Sequence, residues 1–547
     1  MALELGLHDY ATGVVENWLK FYARRNGTSF YRYFGMQDLG RELTIFAQYY
    51  KYTGDPKGLL QTYFEKIEGR IGLLMERRRA AQTLPKDAQA FGMLTGNANE
   101  DLGTTEITCG TTYQSLEAMD HADCQTELPW ISISAEVWRG FHEAGPVFSE
   151  LGRKLGRGDM AAAGALMNAE APPLLADLHT SLDRGRHAQD GGICYPVQLA
   201  WNRCPNPENM GTHAFQPIGD RTNFSYPTLD IFGFSYNWPI AMFSGALVNK
   251  TEVVEALLDW TATKAGAFMV PVARRKGQPA GVCSFVEMGQ GYGLLLLDKV
   301  DEFQILMYAL AAHGNTPGTW TAAECWTVAE FTSGYAAPSQ VVLPTFLKWQ
   351  LLFEDPFTNN IWIARAIPRS WLSDNGTAVA VHDGVTSRGR LSFTLEATGA
   401  STIKASIAPA TSGRAFVWPM GGGGIKLRLR SPSFPAKKLA SVTVGGKAWA
   451  AFDAAEETVT FDTSTAGMHD IVATLKTDDT DVSAMRPEID LAAAALAEVP
   501  EPIRGALTTM FSHMTKMAGM QAGMSLAPDR QGAPCASLSN AQVLLCK

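Results

Sequence analysis

The chain has 547 residues, a formal net charge of -9, and 46% hydrophobic and 10% aromatic residues. That is enough apolar material for two or three packed domains, and the acidic balance without any Lys/Arg-rich run argues against a nucleic-acid partner. No apolar run approaches the ~20 residues of a membrane-spanning helix. Residues 1–13, MALELGLHDYATG, lack a basic stretch leading into an apolar core, so the expectation is a soluble chain with no membrane partner and no readable export signal. Sequons at Asn26, Asn223, Asn249 and Asn375 are compatible with secretion. The eight Cys form no CxxC pair and no zinc-type spacing, and neither a metal nor a cofactor is expected.

Residues 8–25 place Tyr10, Val14, Trp18, Leu19 and Tyr22 on one helical face, read as a core helix. Amphipathic patterns follow at 36–52 and 57–81, the latter ending in Glu76-Arg77-Arg78-Arg79, whose positive charge suits a helix C-terminus. Residues 91–130 then show neither helical nor strand period. Long aperiodic segments in compact proteins are functional or disordered. Here Glu100, Asp101, Glu106, Asp120, Asp123 and Glu127 stand among Gly, Asn and Thr between aromatic residues ending at Trp130, a composition read as an ordered active-site loop. Helical patterns return at 131–154 and at 160–182, the second read as broken by Pro172-Pro173. A second irregular stretch, 189–230, gathers Trp201, Cys204, Asn206, His213, Gln216, Asp220, Arg221, Asn223 and Tyr226, the density of a binding surface. Helices are expected at 231–248, 252–264, 291–313 and 339–353. A third polar and aromatic loop between the last two holds Trp320, Glu324, Trp326 and Glu330.

At Glu354-Asp355-Pro356 the pattern changes to short alternating runs, among them IWIARAI, RLSFTLEA, TIKASIA, TVTFD and HDIVATL, separated by turn residues. Six or more such strands imply a β-sandwich. The expected architecture is therefore an (α/α) helical-hairpin barrel or toroid over 1–355, then a C-terminal antiparallel β-sandwich over 356–480. An Ala/Met-rich tail with helical patterns occupies 481–547.

Three stretches carry a resemblance to a known superfamily: TGDPKGLLQTYFEKIEGRIGLLMERR with LPKDAQAFGMLTGNANEDLG, GTWTAAECW leading into PSQVVLPTFLKWQLLFEDP, and IWIARAIPRSWLSDNGTAVAVHDGVTSRGRLSFTLEA. In these the chain resembles the six-hairpin glycosidase superfamily, over roughly residues 1 to 480. The resemblance implies an (α/α)6 barrel, a carbohydrate substrate and an inverting hydrolysis. It also implies a chain that starts inside the barrel, because nine or ten helical patterns stand where twelve would close it. In that superfamily the acid lies after the fifth barrel helix and the base before the last. This implies Asp101 as acid, with Glu100 as its rival, and Glu324 as base.

Glycosidic hydrolysis needs one protonated carboxyl and one carboxylate. Glu287, in SFVEMGQGYG, is a third candidate, equally readable as a structural acid at a helix start. Around Asp101, Gly96, Asn97, Asn99 and Gly103 let the backbone approach a sugar, whereas Glu324 is flanked by Trp320 and Trp326 but also completes a TxxE capping box from Thr321. Glu106, Asp123, Glu127, His213, Asp220 and Arg221 are candidate hydrogen-bonding residues for substrate. Trp130, Trp201, Trp238, Trp320 and Trp326 are candidate stacking platforms. Two alternatives stand beside hydrolysis. A polysaccharide lyase would use a Tyr or His base and a group neutralising a uronate, for which Tyr113, His121, His213, Arg221 and Asn223 are available. A carbohydrate-binding relative would have kept the fold without the chemistry.

Overall fold

The computed structural model describes residues 1–29, 36–96, 129–189, 192–196, 199, 238–260, 266–267, 270–271, 281–282, 284–316, 319–323, 326–327, 337–372, 378–409, 416–417, 423–432, 437–461 and 469–476. One compact unit comprises Met1–Gly314 with Ala322–Thr477, and a second comprises Asn315–Thr321 with Asp478–Lys547. Everything in this subsection lies in the first.

Helix α1 (His8–Asn17) continues as a π-helical turn, Trp18–Tyr22. Its inward face is Ala11, Val15 and Leu19, whereas Tyr10, Val14 and Tyr22 are exposed, which corrects the expected core face. The i, i+4 series through 11 runs beside the series through 10, and periodicity alone does not say which of two adjacent apolar series turns inward. After α2 (Met36–Thr53) the chain turns sharply, and the Leu59 and Leu60 amides that open α3 (Leu59–Thr62) donate to the Asp55 carboxylate at 2.8 and 3.0 Å. Helix α4 (Phe64–Ala81) follows.

Helix α5 (Ile131–Leu155) is buried on nearly every side and so acts as the axis of this region. Glycines let its neighbours approach. A Cβ on Gly40 of α2 would lie 2.6 Å from the Glu136 carbonyl carbon, and one on Gly140 would lie 2.4 Å from the Gly40 oxygen. The next helix, α6 (Gly158–Gly185), returns antiparallel along α5, with Gly145 against Asn168, Gly164 against Ser149 and Gly152 against Ala161. Pro172 and Pro173 do not break α6, contrary to expectation. The missing proline donors are tolerated because α5 supports the helix along its length. Arg78 of α4 also grips both sides of the prolines, at Glu170 (2.7 Å) and Asp177 (2.6 Å).

Residues 238–244 are helical (α7), and α8 (Thr251–Trp260), α9 (Glu287–Leu296) and α10 (Val300–Ala309) follow. The single helix expected over 291–313 is thus two helices, joined at 297–299, where Asp298 takes a left-handed φ of 60°. The unbroken apolar run Leu294-Leu295-Leu296-Leu297 conceals that joint in the sequence. The short α11 (Ala337–Gln340) leads into α12 (Val342–Leu351).

In the helical region β1 (His187–Gln189) pairs with β2 (Gly192–Cys194) and β3 (Gly266–Ala267) with β4 (Val270–Pro271), and from Leu352 the chain forms the strands of two larger sheets. A five-stranded sheet runs in the order β15 (Phe452–Asp453), β16 (Thr458–Phe461), β12 (Ile425–Arg428), β8 (Asn360–Ile363), β7 (Leu352–Asp355). The six-stranded sheet runs β14 (Lys447–Ala448), β13 (Leu439–Val444), β17 (His469–Leu475), β11 (Thr402–Pro409), β10 (Gly389–Ala397), β9 (Val379–Thr386). Pairing is antiparallel as expected, except that β8 and β12 run parallel. Ile363, Leu427, Val459 and Phe461 of one sheet share a core with Phe393, Leu395, Ile403 and Ile471 of the other, which makes the pair a sandwich. Ion pairs tie it to the helices: Asp298 in the α9–α10 joint meets Arg428 at 2.5 Å and Arg365 at 3.6 Å, and Asp301 meets Arg430 at 2.7 Å.

Candidate active site

The helices have two unlike ends. At one, α2 passes to α3 and α4 through 54–58, α5 to α6 through Gly156-Arg157, and α9 to α10 through 297–299, all tight connections. At the other end the chain leaves α4 for 82–130, α6 for 186–237 and α10 for 310–336. Where described, residues at the roots of these long segments meet helix starts or one another in pairs. Leu94 donates its amide to Ser134 Oγ at 3.1 Å, in the first turn of α5, and the Leu199 amide donates to the Pro129 carbonyl at 2.8 Å. Pro239, where α7 starts, lies so close to Gly289 of α9 that a Cβ there would be 1.9 Å from the Pro239 oxygen.

The third long segment is fastened to the start of α9. Strand β5 (Gly281–Val282) pairs antiparallel with β6 (Trp326–Thr327), placing Val282 opposite Trp326. Just before, Gln340 of α11 donates from Nε2 to the Ala322 carbonyl at 2.6 Å. Ala322 is thus bonded to α11, and Trp326–Thr327 to the strand that precedes Glu287.

Glu287 is the first residue of α9 and only 1% exposed. Its Oε2 has no hydrogen-bond partner, and neither has the buried Oγ of Ser284 one turn earlier. Burial pushes the Glu287 carboxyl well above the usual carboxylate range. A helix N-terminus favours the charged form by roughly 0.3–1 kcal/mol. Taking an ionised carboxylate out of water without a partner costs on the order of several kcal/mol, so burial wins and the neutral form is favoured. The other buried carboxyls differ in having cations beside them. For Glu143 burial is overcome by Lys51 and Arg139, which hold it down to about 2. Glu42 and Glu136 are raised by burial but face Arg70 and Arg41. Among the described residues, Glu287 is the buried acid whose shift has burial as its one cause.

Of the remaining sequence candidates, Trp130 caps the start of α5 and, like Trp238, is packed into the helical core with no free ring face. Trp326 is placed through its backbone in β6. Trp320 belongs to the second unit, half-buried at a φ of 55°, with its amide donating to the Thr316 carbonyl at 2.9 Å. Glu100, Asp101, Glu106, Asp123, Glu127, Trp201, His213, Asp220, Arg221 and Glu324 lie outside the described residues, as do Tyr113, His121 and Asn223. Among the described residues no group of three or more His, Cys, Asp and Glu is arranged to hold a metal, and no helix is long and apolar enough to cross a membrane. Sequence reasoning did not find Ser284 or Gln340. The S-x-x-E spacing from Ser284 to Glu287 was a legible signal of a helix start, but nothing local marks Gln340, whose partner is 18 residues away.

No protein-family model matches the chain, and no curated protein matches it. Among solved structures it is similar to a glycoside hydrolase, at 9% identity over 86% of this chain and 72% of that one, with a TM-score of 0.37. It is similar also to a GH127 β-arabinofuranosidase, at 12% identity over 87% of this chain and 76% of that one, with a TM-score of 0.31. Likenesses this slight carry neither a fold nor an activity across to this chain.

Proposed function

We propose that the chain is a glycoside hydrolase acting on an oligo- or polysaccharide, with Glu287 as the proton donor and Glu324 as the carboxylate that activates water. The observation that carries this reading is the buried carboxyl of Glu287, whose Oε2 has no hydrogen-bond partner and which burial pushes above the usual carboxylate range. A carboxyl kept neutral in this way is what departure of a sugar alkoxide requires. Glu324 is its partner in this reading because Trp326, two residues after it, pairs with Val282 in the strand that leads to Glu287, while Ala322, two residues before it, is bonded to α11.

The chemistry then balances as follows. As the glycosidic C–O bond breaks, the Glu287 proton passes to the leaving oxygen, while a water attacks the anomeric carbon from the opposite face and gives its proton to Glu324. Anomeric configuration inverts, and exchange of the two protons with solvent restores the starting state. This reading moves the acid from Asp101 to Glu287 and leaves Asp101 and Glu100 as substrate-binding residues.

The test is reducing-sugar release from a panel of oligosaccharides and aryl glycosides. Glu287→Gln should lose at least ~100-fold on substrates with poor leaving groups and approach wild type on dinitrophenyl glycosides, whose departure needs no proton. Glu324→Gln should lose activity on both. If Glu287→Gln matches wild type on poor leaving groups while Asp101→Asn shows this pattern, Asp101 is the acid. Products carrying an unsaturated uronate chromophore would replace the hydrolase with a lyase.

A further inference from the structure

Cations gather on one aromatic ring where the sandwich meets the helices. Trp362 of β8 stands opposite Lys426 in the parallel pairing of β8 with β12, and Arg428 follows Lys426 on the same face by the two-residue period of a strand. Arg365, just past the end of β8, reaches the same ring. The guanidinium carbons of Arg365 and Arg428 lie 4.1 and 5.2 Å from the Trp362 centroid, and Lys426 Nζ lies 4.9 Å from it. Trp362, Arg365 and Arg428 are each more than nine-tenths buried.

The carboxylates beside this cluster leave much of it unmatched. Asp298 takes both Nη groups of Arg428, at 2.9 and 2.5 Å, and stands 3.6 Å from Arg365 Nη2, which donates to the Leu295 carbonyl. Asp355 also acts on Arg365, but its oxygens already accept from the Phe357 and Thr358 amides and the Thr358 hydroxyl. Burial pulls the Arg365 guanidinium down to about 10 against the opposing effect of both carboxylates. Four donors remain over: Nε and Nη1 of Arg365, Nε of Arg428 and Nε1 of Trp362 are buried with no hydrogen-bond partner. A ring face attracts a cation but does not replace an acceptor for each of its N–H groups, and buried donors in native proteins are matched.

We infer that Arg365, Arg428 and Trp362 bind a small inorganic monoanion, of the class of chloride, at the seam between the helices and the sandwich. Charge selects the ligand. Lys426, Arg365 and Arg428 face Asp298 and Asp355, so one further negative charge completes the balance. A sulfate or phosphate dianion would overshoot it and would set a second charge against Asp298. All four leftover groups are donors, as a spherical acceptor requires, and in this buried setting an opposite charge counts for more than it does in water. Asp298 and Lys426, both partly exposed, give the ion its route from solvent.

Thermal unfolding of the full chain at fixed ionic strength, with sodium chloride replacing sodium gluconate, tests this. Raising chloride from roughly 1 to roughly 100 mM should lift the midpoint by at least ~2 °C, because a ligand held by the folded chain alone stabilises it with the logarithm of its concentration. Bromide should act alike, and crystals grown with bromide should show its anomalous signal beside Arg365 and Trp362. Trp362→Phe keeps a ring and removes one donor, so it should at least halve the chloride-dependent rise. Arg365→Met removes two donors and a charge and should abolish the rise; if that variant does not fold, Trp362→Phe decides alone. A midpoint indifferent to chloride, as expected if water satisfies these donors, overturns the inference. So does a chloride effect that Trp362→Phe leaves unchanged, or bromide found only at other places. Stabilisation by phosphate that Arg365→Met removes, with chloride inert, would make the ligand an oxyanion and overturn the monoanion.

Discussion

Glu287 and Glu143 are both carboxyls removed from water, and they shift to opposite sides of the ordinary value because cations reach only one of them. The two should shape opposite limbs of the stability profile. Glu287 keeps its proton in the folded chain where the unfolded chain has lost it. Its contribution is therefore flat below the ordinary value of 4.5 and erodes as pH climbs from there through the raised folded value. Glu143 is held at about 2, so its contribution is complete above 4.5 and is lost as pH falls toward 2. In urea titrations at a series of pH values, Glu287→Gln should gain on wild type as pH rises. Glu143→Gln should cost about 3 kcal/mol at neutral pH by removing the carboxylate that pairs with the buried Arg139, with the deficit shrinking in acid. A Glu287→Gln difference that does not vary with pH would show that this carboxyl titrates normally. The sequence exposed Glu287 as an acid at a helix start but not its state, because burial and the absence of a counter-ion are properties of residues far along the chain.

Among the elements, the α2–α5 crossing depends on two glycines with backbone on the other side. Gly40→Ala places its methyl against the carbonyl of Glu136, which cannot rotate away, so a loss of about 1–3 kcal/mol is expected, read as a lower thermal midpoint. The same substitution at Gly13 meets open space and should not lower the stability of the single chain. The helices themselves were legible from their 3.6-residue period, and the strands from Leu352 onward from alternation. Three features of the helices were not. The inward face of α1, the passage of α6 through Pro172-Pro173 and the joint at 297–299 each depend on what lies alongside: α2, the Arg78 clamp and the arginines of the sandwich.

For the molecule as a whole, Asp298, together with Asp301, carries charge from the helical layer to the sandwich. Arg365 and Arg428 are both buried and both point at Asp298. Asp298→Ala should cost about 3 kcal/mol, the low end for an unpaired buried charge because the carboxylate is itself partly exposed. The loss should appear as one cooperative unfolding transition at lower denaturant, and a second transition would mean that the layers unfold independently. The order of layers was readable from the switch in period near Glu354. The gathering of distant segments at one helix end was not, since Leu199 on Pro129, Pro239 on Gly289 and Val282 opposite Trp326 are pairings that no local pattern announces. The unlike ends of the hairpins also bear on how such a chain can change. At the end with tight joints, a single inserted residue at Gly156-Arg157 would shift α6 along α5 and misalign every glycine contact between them. At the other end, where the connections are long, closing a loop costs only about 0.6 kcal/mol more each time its length doubles. New lengths and new chemistry can therefore accumulate there while the packed half stays constant.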